Sequence, residues 1–207
     1  MRQSRRVIDP SADKPAYAGK RAMDIAFAAC ACAVFAPLVA TICVAIWLDD
    51  GGSPFFTQLR IGASRKTFRI LKFRSMRDGA VTRVGRWLRR TGLDELPQFV
   101  NVCLGDMSVV GPRPLTAEDV ARLNWASSRH DWRFAMKPGI TGIAQLVGGR
   151  SARHSARLDR LYLRRQSALL DMRLVALSFV GNVAGKAVVR RWMAFTQQQQ
   201  NRRGDEY

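Results

Sequence analysis

The chain has 207 residues, enough for one compact domain and a membrane anchor. Its 34 Lys and Arg against 16 Asp and Glu give a formal charge of +18, which points to an anionic partner: nucleic acid, an anionic membrane or a phosphorylated substrate. Four cysteines without zinc-knuckle spacing, and only His130 and His154, give no basis for a disulfide framework or a histidine-rich metal centre, so a reducing cytoplasmic setting fits.

Residues 1–19 read as a polar tail with Pro10 and Pro15. The apolar run 22–48 follows, broken only by Asp24, Pro37 and Thr41. As a helix it is about 40 Å long, enough to cross a hydrocarbon core of about 30 Å. Pro37 lacks a backbone donor and clashes with the Ala33 carbonyl, so a kink or break is expected there. Basic residues flank both ends: Arg2, Arg5, Arg6, Lys20 and Arg21 before, Arg60, Arg65, Lys66 and Arg69 after. The positive-inside bias would hold both flanks in the cytoplasm. A helix that dips in and returns satisfies both signals, and an ordinary kinked spanning helix stays open on the residues alone.

From Gly51 onward the character is that of a soluble domain. Segments 55–58 and 68–73 read as strand-like around a turn at Gly62, and 84–90 as a basic helix. Pro97 opens a helix that ends before Gly105. Gly111, Pro112 and Pro114 force an irregular loop, 117–132 reads as a helix with acidic residues at its start, 138–149 as a glycine-rich loop, and 158–189 as mostly helical. Within the last, 174–184 carries no charge and suits either an interfacial helix or a core helix. The end, 193–207, reads as a disordered tail. The expected fold is α/β: mixed, helix-rich, with a small irregular sheet. A catalytic domain over 51–192 follows a membrane helix over 20–50.

Chemistry concentrates in 85–114. Asp94 and Glu95 are adjacent and flanked by Leu93 and Leu96. Partly buried carboxylates stay ionised only beside cations. Arg86, Arg89 and Arg90 share one face of the preceding helix, Arg113 stands between Pro112 and Pro114, and Lys72 and Arg74 come from the preceding strand. Arginine forks bind phosphate oxygens, and a carboxylate can attack phosphorus. Its neighbour can hold Mg²⁺ or handle a proton. No phosphate-binding loop or dinucleotide fingerprint is present. Without further pattern, an acidic pair like this is most often a surface pair bridged to arginines.

The pattern extends further. KRAMDIA at 20–26, SPFFTQLRIG at 53–62, FRILKFRSM at 68–76, TGLDELPQFVNV at 91–102, GDMSVVGPRP at 105–114 and KPGITGIAQ at 137–145 occur in one order. Asp159, Tyr162, Ser167 and Asp171 follow as a weaker pattern. In these motifs the chain resembles the bacterial sugar transferases known as monotopic phosphoglycosyl transferases. The resemblance implies a covalent phosphosugar on Asp94, transfer from a UDP-sugar to polyprenyl phosphate with release of UMP, and Glu95 supporting beside Mg²⁺. It implies phosphate-binding roles for Lys72, Arg89 and Arg113, and a nucleotide-pocket loop at Pro112 and Pro114. It also implies a re-entrant helix broken at Pro37, interfacial amphipathic helices, contact with anionic lipids, and a place on the cytoplasmic face of the bacterial inner membrane. Three departures stand out. The 76–83 stretch is short, Gly92 stands where serine is common, and no multi-helix membrane domain precedes Lys20, so the chain reads as a minimal form. A membrane-tethered nucleic-acid-binding protein or a non-catalytic subunit of a polysaccharide assembly is the alternative. The basic residues are too dispersed for a nucleic-acid motif, and no nucleic acid is expected as a partner. The sequence fixes neither the sugar nor whether a homo-oligomer forms.

Overall fold

The computed structural model describes residues 16–148 and 151–184. The tail readings for 1–15 and 193–207, and the helix reading for 185–189, lie outside them. Helix α1 (Lys20–Asp50) is continuous through Pro37 and is capped at both ends by glycines in the left-handed conformation, Gly19 and Gly51. The expected break at Pro37 is therefore absent as a break in secondary structure; Thr41 Oγ1 donates to the Pro37 carbonyl at 2.9 Å on the exposed side. By length and composition α1 can cross a membrane. Its buried residues, Lys20, Asp24, Ala28, Ala31, Ile42 and Ile46, recur at helical spacing and form one stripe from end to end. Ala28 packs among Phe68, Ile70, Val102 and Met107, whereas Ile42 and Ile46 pack on Phe73 and Leu88. One domain thus holds both halves of the helix, while Val34, Val44, Trp47 and Leu48 face outward.

Strands β1 (Phe55–Ile61) and β2 (Thr67–Phe73) form an antiparallel hairpin that pairs Phe55 with Phe73 and Ile61 with Thr67. Phe68 and Ile70 face the core, and the pleat puts Lys72 on the same side. A two-residue ribbon, β3 (Met76–Arg77) and β4 (Ala80–Val81), leads into α2 (Arg83–Thr91). Thr82 caps α2 by accepting from the Gly85 amide at 2.9 Å. A 3₁₀ turn over Leu93–Glu95 then precedes α3 (Gln98–Leu104), which ends at left-handed Gly105. Buried Asn101 on α3 copies a strand edge: its Oδ1 accepts from the Leu71 amide at 2.9 Å and its Nδ2 donates to the Arg69 carbonyl at 2.8 Å.

Gly85 sits where α2 meets the end of the hairpin. A Cβ there would lie 2.1 Å from the Ser75 carbonyl oxygen, which is backbone and cannot swing away. Gly85→Ala is expected to push α2 outward and cost about 1–3 kcal/mol by overpacking, read as a lowered melting temperature. Because Arg89, one turn on, donates from Nε to Ser75 Oγ at 2.8 Å, the same substitution displaces Arg89.

Strand β5 (Ser108–Val110) pairs in parallel with β6 (Gly139–Thr141), and α6 (Ile143–Val147) follows. The glycine-rich loop expected over 138–149 is thus largely ordered secondary structure. Its glycine serves close approach, since a Cβ at Gly139 would lie 2.0 Å from the Gly111 amide nitrogen. The helix expected over 117–132 is instead α4 (Ala117–Arg122), opened by a Thr116–Asp119 capping box, and then, after a 3₁₀ turn, α5 (Asp131–Phe134). Asn124 takes a left-handed conformation and turns the chain so that Trp125 enters a core of Leu115, Val120 and Phe134. The last expected helix is two, α7 (Ala152–Arg165) and α8 (Ala168–Ala184), parted at Gln166. Helix α8 buries Asp171 and Leu174 and exposes Leu169, Met172, Phe179 and Val180. The fold is mixed and helix-rich, with three small two-stranded sheets among the described residues.

A buried polar network joins α1, β5, α7 and α8. Lys20 Nζ lies 2.9 Å from Asp24 Oδ1 and 2.7 Å from Asp171 Oδ2. Asp24 accepts from Ser108 Oγ at 2.8 Å and the Val109 amide at 3.1 Å. Asp171 accepts from Tyr17 at 2.9 Å and Tyr162 at 2.7 Å. Burial and Asp171 raise both tyrosine hydroxyls well above the usual range, so they stay donors.

Candidate active site

The 3₁₀ turn is pinned by its own apolar residues. Leu93 and Leu96 pack against the group of Phe73, Leu88, Ile42 and Ile46, which seals the floor beneath Asp94 and Glu95. Left-handed Gly92 ends α2 and Pro97 starts α3, so the dyad is held between two helix ends. Both carboxylates are half-buried. Lys72 reaches across from β2 and places Nζ 2.9 Å from Glu95 Oε1. Among the described residues Asp94 makes no ion pair. Burial first, then repulsion from Glu95, pushes its carboxyl above the ordinary aspartate range; Lys72 and Arg89 pull the other way. The two carboxylates therefore differ in kind. Glu95 is tied to a cation, and Asp94 lies in the field of Lys72 and Arg89 without an ion pair among the described residues.

Arg113 comes from the loop after β5. Three backbone carbonyls of that loop are fixed from outside it. Pro112 accepts from the Gly139 amide at 2.9 Å, Arg113 from Arg133 Nη2 at 2.8 Å, and Pro114 from Arg60 Nη1 at 3.3 Å. Arg133 is itself buried and held by Asp159 at 2.9 Å, the two side chains being 5% and 4% exposed. Pro112 and Pro114 are buried, and the exposed Arg113 is the loop residue that lines the cavity.

That cavity measures about 1450 Å³, more than most single-ligand sites. Its lining includes Lys72, Arg89, Asp94, Glu95 and Arg113, polar groups such as Ser151 and Ser155, and apolar side chains that include Phe27 and Phe35 from α1, Phe99 from α3, and Val175 and Phe179 from α8. The sequence-predicted residues Lys72, Arg89, Asp94, Glu95 and Arg113 thus meet in one place. Arg86 and Arg90 are exposed and lie outside the lining, because only Arg89 of the three turns towards Ser75. Arg74 lines the cavity too, and its guanidinium pairs with Asp50 at the end of α1. Gln58, Arg60, Ser75 and Arg133 also line the cavity and were not singled out from sequence. Gln58 and Arg60 carried a usable signal: they stand two apart in a strand, on one face, within the SPFFTQLRIG motif.

The family model for bacterial sugar transferases matches residues 15–185. The chain belongs to the bacterial sugar transferase family. It is 35% identical to the UDP-glucose:undecaprenyl-phosphate glucose-1-phosphate transferase of Escherichia coli K12 over 189 residues, covering 81% of this chain and 41% of that protein. Against the UDP-N-acetylgalactosamine-undecaprenyl-phosphate N-acetylgalactosaminephosphotransferase of Aeromonas hydrophila it is 39% identical, covering 78% of this chain and 43% of the relative. Against the exopolysaccharide production protein PSS of Rhizobium leguminosarum bv. phaseoli it is 38% identical, covering 75% and 90%. The chain therefore spans about two fifths of the first two relatives and nearly all of the third. The dyad, Lys72, Arg89 and Arg113 all lie inside the family match.

Proposed function

We propose that the chain transfers a sugar 1-phosphate from a UDP-sugar to a membrane polyprenyl phosphate, such as undecaprenyl phosphate, and releases UMP, as the initiating step of an exopolysaccharide, capsule, O-antigen or other glycoconjugate. The observation that carries this is the unequal dyad: Glu95 paired with Lys72, beside an Asp94 that makes no ion pair among the described residues, in a cavity lined by both charged and apolar side chains. The names of the relatives, which act on UDP-sugars and undecaprenyl phosphate, support the same reading. In the first half-reaction an Asp94 carboxylate oxygen bonds to the β-phosphorus of the donor. The bond from that phosphorus to the bridging oxygen breaks, and the electron pair leaves with UMP. In the second, an oxygen of the lipid phosphate attacks the same phosphorus and frees Asp94. The test is UMP release from a panel of UDP-sugars in the presence of polyprenyl phosphate, and no release from any of them overturns the proposal.

A magnesium ion fits the residues in one way. Among the described residues no group of three or more acidic, histidine or cysteine side chains exists, so no all-protein cage is available. Asp94 and Glu95 would hold the ion together with donor phosphate oxygens, the arrangement Mg²⁺ commonly takes. When bound, it neutralises phosphate charge.

The raised Asp94 carboxyl has a signed consequence. The nucleophile must be ionised, so activity falls as pH drops through a value above the ordinary aspartate range. Glu95→Gln removes the repulsion and frees Lys72 towards Asp94, so the acid limb of kcat/KM moves down. Lys72→Met removes an attraction, so the limb moves up. A pH–rate profile of both variants checks the pair of opposite shifts.

The membrane relation follows from α1. A straight crossing would put a domain bound to both ends at both headgroup layers. Burial at Lys20–Ala31 and again at Ile42–Ile46 therefore supports a helix lodged in one leaflet with both ends on the cytoplasmic face of the inner membrane. The exposed apolar face of α8 supports an interfacial seat for that helix, and the positive charge supports anionic lipids as partners. Thiol labelling of cysteines placed at Ala16 and at Gly52 in sealed cells checks this. Both are expected to be protected from an impermeant reagent added outside, and labelling of Ala16 alone refutes the one-sided topology.

A further inference from the structure

The charge set around the dyad contains one member with no assigned task. Arg60 enters the cavity from β1, with its side chain 14% exposed. Its Nη2 donates to Gln58 Oε1 at 2.5 Å and its Nη1 to the Pro114 carbonyl at 3.3 Å, with Asp119 Oδ2 at 3.6 Å. Its Nε is buried and has no hydrogen-bond partner. Burial and the nearby Arg113 both disfavour its charged form, which Asp119 and Glu95 only oppose. Two guanidinium groups on the lining of one cavity repel each other, and an anion between them would offset that repulsion.

Lys72 and Arg89 act on the dyad, where the reacting phosphorus must sit. Arg60 and Arg113 are further cations on the same lining, beside Lys72 and Glu95, so the phosphate next along the donor falls to them. Apolar side chains of α1, α3 and α8 on the lining suit an isoprenoid tail.

Building on the transferase reading, we propose that Arg60 and Arg113 form a separate phosphate subsite that holds the α-phosphate of the donor and becomes the seat of the leaving nucleotide. When the bond between the β-phosphorus and the bridging oxygen breaks, that oxygen stays on the α-phosphate, which gains one negative charge. Two guanidinium groups bind this doubly charged product phosphate more strongly than the diphosphate oxygens of the donor. Arg60 is then a substrate-contacting residue that also braces the Arg113 loop through the Pro114 carbonyl.

The experiment measures binding of UMP, uridine and a short prenyl phosphate to the full chain in lipid nanodiscs. Arg60→Gln is expected to weaken UMP at least about tenfold, the scale of a lost charge-assisted hydrogen bond, while uridine changes less than about twofold and prenyl phosphate is unaffected. Arg60→Lys falls between. Unchanged UMP binding, an equal loss for UMP and uridine, or a loss for prenyl phosphate alone overturns the subsite. If Arg60→Gln does not fold, Asp119→Asn serves. Removing that competing carboxylate is expected to tighten UMP, and unchanged or weaker binding refutes the proposal. Wild-type protein that neither binds UMP nor releases it from any UDP-sugar sinks the transferase reading and the subsite together. Wild-type activity together with unchanged UMP binding in Arg60→Gln sinks the subsite alone.

Discussion

Asp94→Asn is expected to lower turnover by at least about 10³-fold while leaving the protein folded and in the membrane. Asparagine keeps the size of the side chain but offers a neutral amide oxygen, a poor nucleophile at phosphorus. Glu95 cannot take over, because its carboxylate is held by Lys72 at 2.9 Å and projects from the next residue of the turn. The sharper readout is a single turnover without acceptor. Wild type gives a burst of UMP equal to enzyme and retains labelled phosphosugar, and the variant gives neither. Glu95→Gln should keep the burst at a reduced rate, on the scale of about 10²-fold for a supporting acid–base group.

The same variant carries a stability prediction of opposite sign. Asp94 has a folded pKa above its unfolded value, so the folded state binds the extra proton. Stability is therefore lost as pH rises from the unfolded pKa to the folded one, and the ionised carboxylate destabilises the fold at neutral pH. Asp94→Asn removes that cost. Its melting temperature at pH 7 should equal or exceed that of wild type, and the difference should vanish in acid. Activity falling while stability holds or rises marks a group kept for chemistry, not for packing.

Legibility in the sequence tracked how local the cause was. Helix α3 was readable at both ends because Pro97 and Gly105 act through their own backbone. The dyad, Arg89 and Arg113 were readable because residues 85–114 carry them close together, and Lys72 because it stands near the end of the strand before them. Segment 117–134 was misread because Asn124 and Trp125 obey a distant need. Trp125 must enter a core shared with Leu115 and Phe134 and lie under Arg133, and the helix gives way to it. Likewise Gly139 looked like a turn glycine, but its reason is the Gly111 backbone nearly thirty residues earlier. Arg60 and Arg133 escaped attention for a related reason. A single arginine has no pattern, and their work on the 111–114 carbonyls exists only in three dimensions. For the same reason Asp24 and Asp171 read as two ordinary acids until the fold put Lys20 between them.

That triad gives the largest stability effect expected. Lys20 stands between two carboxylates, with the three side chains at most 9% exposed. One cation faces two anions, and the hydroxyl and amide donors of Ser108, Val109, Tyr17 and Tyr162 spread the remaining negative charge. Lys20→Met keeps much of the stem volume but strands two buried carboxylates, so a loss of about 3–5 kcal/mol is expected. Asp171→Asn leaves a matched Lys20–Asp24 pair and costs only an imperfect acceptor for two tyrosines, about 1–3 kcal/mol. The order of the two variants is the test, and an Asp171→Asn loss as large as that of Lys20→Met refutes it.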